Sequence, residues 1–476
     1  MTDVHAAPAR RVMITGSGLV SALGHAPASV HAALCAGRSA LAPIERFAVD
    51  GLSVRRAGLV RDFDARAEFG KRNPRPLDQT GRLVVAAVGR ALVDAGWRTA
   101  ETANAPIADP RASDGPALGL VLGTTFGSVH TISAFDRRAQ SAGPSYAKPL
   151  DFANSVINAA AGQTAIWHGL AGVNSTVTGG PSAGLRAIGY AAGLIRSGRA
   201  DVVIAGGADE LCFESFYGYH ASGALAGAGL NGAGLNGDGS RGHGASAQDD
   251  GGDVGVNGSG DAAARPVPFD ASRNGFALGE GAAVVVLEAA EVAAARGATL
   301  RAEVLGEGNA FDISRGADAA TATAAIASAM RQALAEAGRH DAAAVRGAQT
   351  IAIDAISSAA RGATDGDRHE ADALAQVFGE RCPPVTALKA MLGECLGASG
   401  ALQAVDLIES MRSGGLPGVR DLDVCDPALP SAVTQALAPM RRLLRGGLQR
   451  GLINAIGFDG NACAVVLGAP GRSAAS

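Results

Sequence analysis

Asn174-Ser-Thr-Val-Thr-Gly-Gly-Pro-Ser-Ala-Gly-Leu-Arg-Ala-Ile-Gly189, continued to residue 206, spells out one unit of an α/β fold. A strand-like run ends in a glycine-rich turn. From 184 to 196, Leu185, Ile188, Ala192 and Ile195 recur at the spacing of one helix face, Gly198 supplies a stop, and a β-branched run resumes at 202–206. The turn sets residues 180–183 at a helix N-terminus, where free N–H groups and the helix dipole favour negative charge and activate a nucleophile.

Outward from this unit the alternation continues. Runs at 12–15, 118–123, 202–206, 283–287, 351–356 and 462–467 read as buried strands, and helical patterns cover 84–95, 320–337, 371–377 and 399–411. The chain therefore divides into two layered α/β halves, 1–294 and 295–476, with no sequence repeat visible between them. The stretch 223–260 breaks the pattern. Fourteen of its 38 residues are glycine, so it is expected to be a flexible surface insertion. One Gly-Gly-Asp-Val-Gly-Val-Asn run in it is faintly like calcium-binding repeats, which need several stacked copies.

Composition excludes several classes. With 47% hydrophobic and 18% charged residues in 476, the chain has a large apolar interior and is not disordered. No apolar run approaches the roughly 18 residues of a membrane span, and no secretory signal is evident, so a cytoplasmic location is expected. Six cysteines form no C-x-x-C pair and no zinc cluster. A net charge of −4 from interspersed charges offers no field for nucleic acid.

Three segments carry candidate chemistry. Gly180-Pro-Ser182-Ala-Gly184 matches the G-x-S-x-G nucleophile elbow, with Asp354 and His369 in the chain order of a hydrolase triad; Ser182 also suits a helix cap. At 353–370 a strand meets a polar turn in which Arg361, Asp365, Asp367, His369 and Glu370 form either a site or a solvated loop. At 387–400, Lys389, one of three lysines in the chain, and Glu394 sit among apolar residues, which suggests partly buried pairing. Cys395 beside Glu394 is a poor thiolate candidate.

The chain resembles the β-ketoacyl synthases of fatty-acid and polyketide synthesis. The resemblance rests on Arg10-Arg-Val-Met-Ile-Thr-Gly-Ser-Gly-Leu-Val-Ser-Ala-Leu-Gly24, Ala205-Gly-Gly-Ala-Asp-Glu210, Arg265-Pro-Val-Pro-Phe-Asp-Ala-Ser-Arg-Asn-Gly-Phe-Ala-Leu-Gly-Glu-Gly281 and Ile456-Gly-Phe-Asp-Gly460. It implies a thiolase-like fold, two αβαβα halves in a five-layered core that dimerises, with no cofactor and no metal. It also implies a cysteine nucleophile and two histidines, and here the matching positions hold Pro181, Arg361 or Ala360, and Glu394, with a retained Lys389. Asp459 and Asn461 replace small or hydroxyl residues in the late glycine-rich loop.

Ketosynthase-like chains without the nucleophile are chain-length factors of type II polyketide and aryl polyene systems, and this chain resembles them. The resemblance then implies a heterodimer with an active ketosynthase served by an acyl carrier protein. The segment 124–152 near the dimer face is expected to shape the acyl pocket, with Phe126, Phe152 and Phe458 as its candidate lining. The alternatives are an active condensing enzyme with unusual residues and the Ser182 hydrolase.

Overall fold

β1 (Val12–Ser21) is buried along its whole length and lies in the middle of a run of ten hydrogen-bonded strands. The computed structural model describes residues 10–106, 115–228, 265–340, 351–438, 441–444 and 447–471. Beyond Ala228, the expected glycine-rich insertion lies outside these residues.

The other strands are β2 (Leu118–Thr124), β3 (Asn174–Thr178), β4 (Val202–Asp209), β5 (Gly281–Ala289), β6 (Ala302–Phe311), β7 (Ala355–Ser357), β8 (Val385–Thr386), β9 (Arg450–Ile456) and β10 (Asn461–Gly468). Their spatial order is β3-β2-β4-β5-β1-β6-β10-β9-β7-β8. Read from either edge inward, it is the same arrangement twice. β2 is parallel to β3 and β4, β4 is antiparallel to β5, and β5 is antiparallel to β1. β7 is likewise parallel to β8 and β9, β9 is antiparallel to β10, and β10 is antiparallel to β6. The two sets meet where Val12, Met13 and Ile14 pair with Val304, Glu303 and Ala302.

The helices repeat in the same way. α1 (Gln79–Asp94), α3 (Ala159–His168) and α4 (Ala183–Arg196) accompany the first five strands. α6 (Ala319–His340), α7 (Thr364–Phe378) and α8 (Ser399–Ser413) accompany the second five, while α2 (Val129–Ala142) and α5 (Phe213–Ala221) belong to the first half of the chain and pack on each other. Period-two burial sorts them into layers. In β4, Val203 and Ala205 pack with α4 and α8, whereas Val202 and Ile204 face α1 and α3. In β10, Cys463, Val465 and Leu467 join the same central core, whereas Ala462, Ala464 and Val466 face α6 and α7. The layers are thus helices, sheet, the α4–α8 pair, sheet and helices: the five-layered thiolase-like fold. Leu185, Ile188 and Ile195 are fully buried in the centre, each worth about 1.5–3 kcal/mol of burial.

Most expected elements form, several with longer bounds. The main difference is at 351–356, where only Ala355–Ser357 is strand, because the Asp354 carboxylate accepts the N–H groups of Gln449 and Arg450 at 2.8 Å and turns the chain into the sheet. α7 begins at Thr364, seven residues before the expected start. Among the described residues no helix is long and apolar enough to cross a membrane.

Candidate functional site

β3 runs into a turn at Gly180–Ser182, and α4 starts at Ala183. Pro181 is buried in this turn, with Gly180 at φ +54°, a left-handed value suited to glycine. The turn is backed by a second one, Leu396–Ala398, just before α8. A Cβ on Gly184 or on Gly207 of β4 would run into the carbonyl oxygen of Gly397, so three backbones meet here at a distance only glycine permits.

Glu394, fully buried, precedes that turn. Its Oε2 lies 2.8 Å from Lys389 Nζ and 3.7 Å from Arg361 Nη1, and its Oε1 accepts from Ser399 Oγ at 2.5 Å and Leu396 N at 3.1 Å. Arg361, 7% exposed, also donates Nη1 to the Ile456 carbonyl at 3.1 Å and lays its guanidinium 3.8 Å over the Phe458 ring. The pairing of Lys389 with Glu394 suggested by the sequence is therefore present and buried, and Arg361 is a second, more distant cation on the same carboxylate. Between the two positions left open for the first histidine, Arg361 is the one whose side chain enters this cluster; Ala360 is buried, with its N–H on Ser358 Oγ at 2.9 Å.

The late loop joins the same site. Asp459 lies beside Gly180, and it accepts from Asn461 Nδ2 at 2.6 Å, while Asn461 Oδ1 accepts from Arg186 of α4 at 3.2 Å. The two unusual residues of that loop thus anchor it to the central helix. Phe458 stacks on Phe276 at 5.2 Å and meets Tyr219 at 5.3 Å, and Phe126 meets Tyr219 at 6.1 Å. Burial and then the charge of Glu394 push the Tyr219 hydroxyl upward. Phe126 and Phe458 are thereby brought to one aromatic cluster, whereas Phe152, 66% exposed, packs on Phe135 instead.

Tyr219, Phe276 and Asp209 escaped the sequence reading. Asp209, buried, accepts from Thr124 Oγ1 and from the N–H groups of Thr125, Phe126 and Gly397, which fixes the loop after β2 against the second turn. Its position inside the Ala205–Glu210 motif was the available signal.

The hydrolase reading fails. Ser182 is fully buried and donates its hydroxyl to the Gly179 carbonyl at 2.7 Å, Asp354 is engaged by backbone N–H groups, and among the described residues no hydrogen bond joins Ser182, Asp354 and His369. The solvated-loop reading of 361–370 fails as well. Asp367 is buried and accepts from the backbone of Arg361, Gly362 and Phe269; Glu370 accepts from Ser358, Ala359 and Asn454. Burial pushes both carboxyls up, and both serve to hold the Arg361 loop. Cys395 is buried with its thiol pushed up by burial and by Glu394, which leaves it inert.

His130, Cys212 and Glu214 bring ligand atoms within 4.8 Å of one another. Glu214 already accepts from His130 at 3.0 Å and Arg137 at 3.2 Å, so a metal ion would have to displace a guanidinium.

The description "Beta-ketoacyl synthase, N-terminal domain" matches residues 9–237, and "Beta-ketoacyl synthase, C-terminal domain" matches 301–423. A 3-oxoacyl-[acyl-carrier-protein] synthase 2 of Vibrio cholerae is 30% identical over 455 residues, covering 95% of this chain and 97% of the relative. The solved ishigamide ketosynthase/chain length factor superposes with a TM-score of 0.77 at 28% identity, covering 97% of this chain and all of that one. A β-ketoacyl synthase from Burkholderia phymatum superposes at 0.75, also at 28% identity, with the same coverage.

Glu394→Ala is expected to destabilise the fold by about 3–5 kcal/mol, since it leaves Lys389 and Arg361 buried without a counter-charge. Double-mutant cycles read by denaturant unfolding should give a larger coupling for Lys389 with Glu394 than for Arg361 with Glu394, and the reverse order would contradict the geometry. Making Arg361 and Glu394 both apolar should remain destabilising, because Lys389 keeps its charge.

Proposed function

The chain belongs to the β-ketoacyl synthase family, and we propose that it acts there as a chain-length-factor subunit, paired with a cysteine-bearing ketosynthase and unable to carry an acyl chain itself. One observation carries this reading. Pro181 occupies the turn at the N-terminus of the central helix α4, where the resemblance puts the family's nucleophile, and a pyrrolidine ring has neither a nucleophilic atom nor an N–H. The neighbouring hydroxyl of Ser182 is spent on Gly179.

The two positions matched to the family histidines support the same reading. A decarboxylating condensation needs hydrogen-bond donors aimed at the oxygen on which negative charge develops. Here Glu394 is an acceptor already engaged by Lys389, Arg361, Ser399 and Leu396, and Arg361 is pinned between the Ile456 carbonyl and Phe458. Repulsion of a malonyl carboxylate by Glu394 is the weaker argument, because Lys389 neutralises it. The stronger one is that Glu394 puts an engaged acceptor where the resemblance puts a histidine donor; Arg361 keeps Nε without a partner, but its guanidinium is held against Phe458 and Glu394.

What remains is a surface and a wall. β3 is an edge strand bonded on one side to β2, and the segment from α2 to α3 exposes Tyr146, Leu150, Phe152, Val156 and Ile157. An edge unpaired among the described residues, near exposed apolar side chains, is suited to a partner of the same fold. The named ketosynthase/chain length factor among the similar structures supports that partner class. In the pair, an acyl carrier protein delivers the chain to the partner's cysteine, and Phe126 with Tyr219 and Phe458 forms part of the wall that limits its growth.

Co-expression with a cysteine-bearing ketosynthase from the same gene neighbourhood tests the assignment. A stable one-to-one complex is expected, with Phe152→Arg weakening it by about tenfold or more. A chain that stays monomeric and ignores the ketosynthase would overturn the reading. The variant Pro181→Cys is expected to show no condensation of acyl and malonyl thioesters, and turnover comparable to an ordinary ketosynthase would refute the missing-donor argument.

A further inference from the structure

Away from the candidate site, the helix Pro27–Cys35 and α8 bring a cysteine, a histidine and an aspartate into one chain of contacts. Cys35 Sγ lies 3.5 Å from Nε2 of His31, four residues earlier and so on the same helix face. His31, 5% exposed, lies with Nδ1 2.9 Å from Asp406 Oδ1, and its Nε2 is also 2.9 Å from Ser413 Oγ. The Ser413 oxygen already accepts the Gly415 N–H. Burial opposes charge on the ring, but the bonds and charges of Asp406 and Cys35 together outweigh it and push His31 up to about 10. The ring is then a cation at neutral pH, with one N–H on the carboxylate and the other shared by Ser413 and Cys35.

Cys35 touches an imidazole that is itself held by a buried aspartate. The cysteine is half-buried at the end of its helix. Burial pushes Cys212 and Cys382 up to about 11, raises Cys425, and raises Cys395 and Cys463 further still. Of those five, Cys212 also has a histidine nearby, with a ring nitrogen of His130 within 4.8 Å of its sulfur, but Cys212 is buried and its thiol stays high. A cation next to a sulfur favours the negative charge that makes it nucleophilic, and a carboxylate behind the ring keeps the ring oriented and charged.

We propose that Cys35 is a modification site, a nucleophilic thiol activated by His31 and Asp406 that reacts with soft electrophiles. With iodoacetamide the step is a displacement: the sulfur forms a bond to the methylene carbon as the carbon–iodine bond breaks, iodide leaves, and the thiol proton passes to solvent while the ring keeps both of its own. The assignment is independent of the chain-length-factor reading, since no residue of the Pro181 turn takes part.

The test is a carbamidomethylation time course on the full chain at pH 7, with each cysteine followed by peptide mass spectrometry. Cys35 is expected to react first, about tenfold faster than Cys382, Cys425 and free glutathione. A rate at Cys35 below that of glutathione overturns the proposal without any variant. His31→Gln should slow Cys35 about tenfold, and Ser413→Ala should leave it fast. An unchanged Cys35 rate in His31→Gln, with the buried Cys395 and Cys463 still protected, would also overturn it.

Discussion

The buried carboxylate of Glu394 is the constraint around which the site is organised. Removing such a group from water costs several kcal/mol, so it persists only with its donors in place: Lys389 five residues before it, Ser399 at the start of α8, the N–H of Leu396, and Arg361 from the loop after β7. Meeting these demands shapes the 396–398 turn, and Gly397 of that turn is what α4 and β4 pack against through Gly184 and Gly207. A single charge thus ties the second half of the chain to the helix that follows the Pro181 turn. Asp209 reinforces the joint from the other side by holding Gly397 and the loop after β2 with one carboxylate.

In the proposed role, the same arrangement lets a synthase scaffold keep its shape without the family's chemistry. At the positions that the resemblance matches to the family histidines stand Arg361 and Glu394, which face each other with Lys389 in one buried charge cluster. The aromatic neighbours Phe276, Phe458, Tyr219 and Phe126 form a continuous cluster beside it. In that proposed role, such an aromatic cluster forms a boundary for a chain held elsewhere.

Much of the fold was legible because burial leaves a period in the sequence. β4, β5 and β10 are near-continuous apolar runs, and α4 shows its helical face. β6 and β9 were not legible, since Gly306, Gly308, Gly451 and Asn454 interrupt their apolar residues. In β6 the glycines are there because α6 presses its backbone against them. The two halves share one strand order without a recognisable repeat, because burial pattern and connection length, and not residue identity, specify that order. At the site, Pro181, Arg361 and Glu394 stood out by their places in motifs. Lys389 was visible as a buried charge, but its rank above Arg361 was not, since a difference between 2.8 and 3.7 Å has no sequence signal. Tyr219 reaches the cluster from a helix far away in sequence, and only tertiary contact reveals it.

The central claim is that no acyl group becomes covalently attached at the Pro181 turn. Intact-mass and peptide analysis of the chain, after incubation with an acyl carrier protein bearing a short acyl thioester and with a cysteine-bearing ketosynthase present, tests it most directly. The account predicts that the acyl mass appears on the ketosynthase cysteine and that residues 179–183 of this chain remain unmodified. An acyl adduct within 179–183 would contradict it.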